Sequence, residues 1–260
     1  MDLPLAVILS FVSFIAGLIN GISGGGGLIL LGALLLSGIP PQTAIATNKF
    51  IATIGYTSAL YNFINKKLIR WDILLYSTFY IVVGAILGAR LATVTDEHVF
   101  AKFISLLFPI AIIFVFYIPT SSNLQLLLGN PGLNKMDKYL KLPLIGLVIG
   151  FYNGIFGPGT ITIIILCLHY FIKVDVVKGL AAAGVLNWIS NWGAVITFNH
   201  SDHLLFSTGL ILSISNILGS YIGSNMAIKN GTPFIKHFLV FSLSISFIYI
   251  GLKYWRIIDI

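Results

Sequence analysis

The chain has 260 residues, 57% of them hydrophobic and 9% charged, where a soluble domain averages about 25% charged. Mean hydropathy is +0.99, and apolar runs of about 17–25 residues, long enough to cross a bilayer, recur from end to end, which excludes a soluble enzyme or binding module. The net charge of +7 lies in short loops, where basic residues orient membrane spans, so it gives no reason to expect a nucleic-acid partner.

The start, "MDLPLAVILSF", has no basic n-region, so the first apolar segment is expected to stay in the protein. That first run covers 3–37 and is interrupted within "LINGISGGGGLILLG", residues 18–32. Glycine in a helix interior costs roughly 1 kcal/mol, so Gly24 to Gly27 in succession predict a break. The piece beyond it, 27–37, would be about 16 Å long, against about 30 Å for a full crossing. Spans are expected at 43–64, 71–93 and 98–118, followed by a polar linker over 120–141. A second interrupted run covers 142–172. It contains "GFYNGIFGPGTITII", residues 150–164, and breaks at Gly157–Gly159. The piece after this break, 160–172, would be about 20 Å long. Further spans are expected at 177–198, 204–228 and 233–255.

The order of broken run, three spans and linker, then the same again, reads as an internal repeat. An offset of 133 places Gly17, Asn20, Gly21, Ile22, Gly24 and Gly26 on Gly150, Asn153, Gly154, Ile155, Gly157 and Gly159, so both halves read N-G-I-x-G-x-G. Later in each half the offset is 135. Ala46 and Ala59 then meet Ala181 and Ala194, and Gly84, Gly88 and Ala92 meet Gly219, Gly223 and Ala227. The expected organisation is a first transmembrane repeat over 1–119, a linker over 120–141 and a second repeat over 142–260. The fold class is an all-α polytopic membrane protein.

If each broken run is a re-entrant hairpin, every half crosses three times and the halves are inverted. Lys66, Lys67, Arg70, Lys135, Lys138, Lys141, Lys173, Lys178 and Lys229 then share one side. The other side receives "SGIPPQ", "TDEH", "NHSDH" and the C-terminal end with Lys253 and Arg256. That partition follows the positive-inside rule. A single crossing by each broken run would make the halves parallel and put lysines on both sides. Inverted repeats are therefore expected, with both termini outside the cytosol.

In a bilayer, non-helical backbone persists only where protein or a water-filled cavity satisfies it, and matched breaks near mid-membrane point to a transporter's binding site. A helix starting at each break presents free N–H groups and about half a positive charge, and glycine lets an anion approach them closely. The expected substrate-binding residues are Ser23, Gly24, Gly25 and Gly26 at the first break and Gly157, Gly159 and Thr160 at the second. Asn20 and Asn153 flank the breaks as symmetry mates. Thr47, Asn48 and Lys49 in 43–64 join them, as do Asn187 and Asn191, four apart on one face of 177–198. For each asparagine a structural helix–helix hydrogen bond is the competing role. Gly84/Gly88 and Gly219/Gly223 are expected to serve tight helix crossings.

All eight acidic residues, Asp2, Asp72, Asp96, Glu97, Asp137, Asp175, Asp202 and Asp259, fall at expected loops or helix ends. Many cation carriers hold a carboxylate in mid-membrane. Its absence argues for an anionic or neutral substrate and leaves a coupled proton without an obvious carrier. Arg90 is close enough to its helix end to snorkel, whereas Lys49 is open to two readings, attracting an anion or snorkelling in its turn. His169 reads as a packing residue, as does the single cysteine, Cys167. "HSDH" in one short loop cannot close a metal site. No phosphate-loop lysine accompanies the glycines, and no nucleophile–base pair or buried carboxylate pair suggests an enzyme. No cofactor or metal is expected.

The glycine-rich break followed by "GIPPQTAIATN", the second-half "NGIFGPGT" and the "GAILGARLA" stretch resemble the sulfite exporter (TauE/SafE) family of membrane transporters. The resemblance spans nearly the whole chain, including its duplication. It implies a multi-pass carrier of the bacterial inner membrane for sulfite, a sulfonate or a similar small sulfur-containing anion. The partners expected are that anion and the lipid bilayer, with a coupled proton and a homo-oligomer both compatible with the pattern. The alternative reading is a passive anion channel, or a carrier for a different small organic anion.

Overall fold

The computed structural model describes residues 3–96 and 132–258. Its helices are α1 (Leu3–Ser23), α2 (Gly27–Leu36), α3 (Pro41–Asn65), α4 (Trp71–Val94), α5 (Leu142–Ile155), α6 (Thr160–Ile172), α7 (Val176–Asn199) and α8 (Phe206–Ile258). No strand occurs among the described residues. The expected span 98–118 lies outside them, as does 120–131 of the expected linker.

Local chemistry sets several helix ends. Pro41 opens α3, where its fixed φ and missing N–H cost nothing. The Asp175 carboxylate caps α7 by accepting from the N–H groups of Val177 at 2.9 Å and Lys178 at 3.3 Å. Lys173 ends α6 in the left-handed region, with φ of 64°.

One expected boundary is corrected. The polar linker does not run loose to residue 141, because a turn of helix over Asp137–Lys141 leads straight into α5. Asn134 Oδ1 accepts from the Asp137 N–H at 2.7 Å, and Asp137 Oδ2 accepts from the Asn134 N–H at 3.2 Å. This reciprocal capping starts the helix early, and Lys141 secures it by pairing with Asp137 at 2.7 Å. The expected spans 204–228 and 233–255 fall on either side of Gly231, whose φ of 68° and ψ of −162° are non-helical and divide α8 into two helical stretches.

The packing crosses between the halves of the chain. α1 lies along α8, and α5 lies along α4. Glycines permit both contacts. A Cβ on Gly21 would lie 2.7 Å from the Ser224 nitrogen, and one on Gly154 would lie 2.7 Å from the Ala89 nitrogen. Gly84 faces the Leu147 carbonyl and Gly219 the Phe14 carbonyl, with the Phe151 and Leu18 nitrogens each 2.7 Å from the added Cβ. The four glycines expected at tight crossings are therefore found there, against backbone of the opposite half.

The outside is apolar. Leu3, Phe11, Leu75, Phe79, Ile214 and Leu218 are all exposed, a pattern that water would penalise and lipid accepts. Among the described residues Leu3–Ser23, Trp71–Val94 and Phe206–Gly231 are each long and apolar enough to cross a membrane. α3 and α7, of 25 and 24 residues, are long enough as well but carry their polar residues inward. This is a multi-pass integral membrane protein. Two apolar clusters flank the breaks. One holds Leu28, Leu30, Leu31 and Leu34 of α2 against Ala44 to Ile51 of α3. The other holds Ile161, Ile164 and Ile165 of α6 against Leu180 to Leu186 of α7.

Gly154→Ala is expected to lower thermal stability in detergent, since overpacking costs about 1–3 kcal/mol and backbone cannot yield. Gly179→Ala is expected to raise it by up to about 1 kcal/mol, because its Cβ would meet Ile165 Cγ2 at an ordinary 3.8 Å. Melting curves followed by size-exclusion chromatography check both.

Candidate functional site

At the first break α1 stops at Ser23, and Gly24 turns the chain with φ of +84°. Gly26 comes to rest on the Ala16 carbonyl. Ten residues of straight helix would separate these by about 15 Å, so the chain doubles back here. Asn20 reaches across the turn, and its Oδ1 accepts from the Gly27 N–H at 3.3 Å, capping α2 from the helix before it.

The second break repeats this logic with more fastening. Gly157 and Gly159 have φ of +93° and +80°. The Tyr152 hydroxyl donates to the Pro158 carbonyl at 2.7 Å. The Thr160 hydroxyl lies 2.5 Å from Gly157 O and 3.0 Å from Asn153 Oδ1, two acceptors that share its single proton. Gly27 stands seven residues after Asn20, and Thr160 seven after Asn153. The two breaks touch, because Gly24 packs on the Ile161 side chain and the Thr162 hydroxyl donates to Ser23 O at 3.4 Å.

α3 and α7 bring in the remaining polar groups. Asn48 Nδ2 donates to Gly27 O at 3.2 Å, and Asn48 Oδ1 is buried with no donor facing it. Lys49 Nζ donates to the Asn153 main-chain oxygen and to its Oδ1, the latter at 3.3 Å. Asn153 Nδ2 donates to Ser190 Oγ at 2.7 Å and to Asn191 Oδ1 at 2.9 Å. Between these groups lies a cavity of about 30 Å³, room for about one water.

The structure gathers most of the expected residues. Asn20, Gly24, Asn48 and Lys49 line the cavity from the first half. Asn153, Gly157, Gly159, Thr160, Asn187 and Asn191 line it from the second. Four expected residues lie elsewhere. The Ser23 hydroxyl is turned back to Ile19 O at 3.3 Å, and Thr47 Oγ1 accepts from the Leu205 N–H at 3.2 Å. Gly25 and Gly26 form the turn but are not among the lining residues. Sequence reasoning missed Gly27, Ala52, Phe156, Pro158 and Ile161 in the lining, and Ser190 behind it. Ser190 had a readable signal, since it is three residues from Asn187 on the same helix face.

The electrostatics are one-sided. Lys49 is 3% exposed and forms no ion pair among the described residues. The described carboxylates lie at helix ends or in loops. Asp72 pairs with Arg70, Asp137 with Lys141, and Asp175 caps α7. The α6 N-terminus opens on the cavity through Thr160 and Ile161, adding the positive end of a helix dipole. Such a lining offers an amine and N–H donors without a negative charge, which suits an anion. His169 Nδ1 lies 3.0 Å from Val174 O at the far end of α6, a packing position, and Arg90 is exposed near the end of α4. No group of three side chains that could hold a metal occurs among the described residues.

Comparison with known proteins agrees with this architecture. The family model for sulfite exporter TauE/SafE matches residues 9–250. A probable membrane transporter protein of Haemophilus influenzae is 31% identical over 247 residues, covering 92% of this chain and 92% of its own. The probable membrane transporter protein ORF9 of a Sinorhizobium species is 32% identical, covering 91% of this chain and 88% of its own. The probable membrane transporter protein YfcA of Escherichia coli K12 is 30% identical, covering 90% and 84%. No solved structure matches. With the family model spanning almost the whole chain and relatives aligned end to end, this protein belongs to the sulfite exporter TauE/SafE family of membrane transporters.

Proposed function

We propose that this protein is a secondary transporter that moves a small sulfur-containing anion, such as sulfite or a sulfonate, across the bacterial inner membrane. The anion binds between the two broken helices, and two inverted repeats alternate its access to either side. The observation that carries this reading is Lys49, a buried amine at the junction of the breaks with no carboxylate partner among the described residues. Its ammonium form is costly without a counter-charge, and an anion bound in the cavity offsets that cost. The family's printed description, sulfite exporter, supports the substrate class.

The repeat organisation is supported by contact symmetry. Gly84 meets Leu147 O and Phe151 N, while Gly219 meets Phe14 O and Leu18 N. Gly150 meets Ile81 O, while Gly17 meets Asn216 O. Each pair is related by the same sequence offsets that align the two motifs.

Protein in liposomes is expected to show saturable uptake of sulfite, thiosulfate or a small sulfonate. Flux that never saturates identifies a passive channel instead. Lys49→Gln is expected to weaken transport about ten- to hundredfold at low substrate, the value of a charge-assisted hydrogen bond of about 1.5–3 kcal/mol; unchanged flux would remove Lys49 from the site. Gly157→Ala is expected to cut transport while the protein stays folded. It costs about 1–2 kcal/mol of backbone strain, and its Cβ would occupy the place of Lys49 Nζ. The same flux measurement, beside a melting curve, checks it.

A further inference from the structure

We infer that Lys49 takes up a proton together with the anion, so that the cargo crosses as an anion–proton pair. The inference rests on the transport reading above. It starts from the hydrogen bonds at Nζ. A neutral amine has two N–H groups, and Asn153 supplies two acceptors to Nζ, its main-chain oxygen and its Oδ1. The third N–H exists only in the ammonium form, and no described protein group accepts it. An ammonium taken out of water costs several kcal/mol unless it is paired, and Lys49 is 3% exposed.

The helices around Lys49 offer it no counter-charge. Besides Lys49 itself, their titratable groups are Tyr56 and Tyr61 on α3, Tyr152 on α5, Cys167, His169 and Tyr170 on α6, and Lys178 at the start of α7. α8, which packs on α3, adds Tyr221, Lys229, His237, Tyr249, Lys253, Tyr254 and Arg256 in its sequence. α1 and α2 carry none. No carboxylate is among them, so the bound anion is the group that can balance the charge. In the same way, among the described residues Lys49 is the one side chain in the lining that can carry a positive charge to balance the anion.

The step is a simple proton transfer. Water on the open side supplies H⁺, the amine becomes an ammonium, and its third N–H donates to an oxygen of the anion. On the other side the anion leaves and the proton returns to water. Only an N–H bond is made and broken. A monoanion therefore crosses with no net movement of charge.

The test uses the full-length protein in detergent at low buffer strength, with methanesulfonate and thiosulfate as probes. A sulfonate has no proton to exchange at working pH, so any proton taken up belongs to the protein. The expected result is one proton taken up per anion bound, with affinity weakening about tenfold per pH unit on the alkaline side. In liposomes, methanesulfonate flux is expected to be indifferent to an imposed membrane potential. Lys49→Arg, whose guanidinium is already charged, is expected to bind without proton uptake and with affinity level in pH. Binding without proton uptake in the unaltered protein overturns the coupling and leaves the transport reading standing. Undiminished proton uptake in Lys49→Arg puts the proton elsewhere and also overturns it. Binding and flux of neither anion overturns the transport reading itself.

Discussion

Asn153 is a buried amide with every hydrogen-bonding direction engaged. Its oxygen accepts from Thr160 and Lys49, and its nitrogen donates to Ser190 and Asn191. Those four partners come from α6, α3 and α7, so one side chain on α5 fixes the relative placement of all the elements at the centre. In a low-dielectric interior such a network is strong when complete and costly when one member is missing. Everything else about the site follows from this tie. It sets where Nζ sits, where α6 begins, and which face of α7 looks inward. The sequence mate, Asn20, makes a lighter contact, a single bond to the Gly27 N–H. The two breaks therefore share a motif without sharing a load.

The same inequality runs through the two long helix seams. Along α1 and α8 the contact is polar. Ser13 Oγ donates to Leu212 O, Asn216 donates to Ser13 O, and Ser220 donates to Gly17 O. Along α5 and α4 the corresponding positions are Ile81 and Ala85, and backbone meets backbone through Gly150 and Gly154. One seam is pinned by directional bonds, while the other is held by close packing alone. The polar groups of the first seam are satisfied by each other, as buried polar groups in lipid must be.

Much of this was legible in the sequence because glycine and asparagine are expensive in membrane helices and therefore signal a reason for being there. Both breaks, the tight crossings at Gly84 and Gly219, and most of the cavity lining could be read from that alone. What escaped notice was governed by short-range chemistry or by the third dimension. The capping of Asn134 by Asp137 needs only two polar side chains three residues apart, and it looked like linker. Thr47 sits next to Asn48 in sequence but turns its hydroxyl to the Leu205 N–H, because neighbouring residues on a helix point about 100° apart. Phe156 and Ile161 line the cavity through shape rather than polarity, and apolar residues in an apolar sequence carry no mark.

The pairing of α1 with α8 also bears on how the protein is made. Ser13 and Leu212, which share a hydrogen bond, are separated by 199 residues. At about 5–20 residues per second, α1 waits roughly 10–40 seconds in the bilayer before its permanent neighbour is synthesised. Through that interval Ser13, Gly17 and Gly21 are without the α8 backbone they pack against in the folded protein, so α1 enters the membrane well before it can find its place.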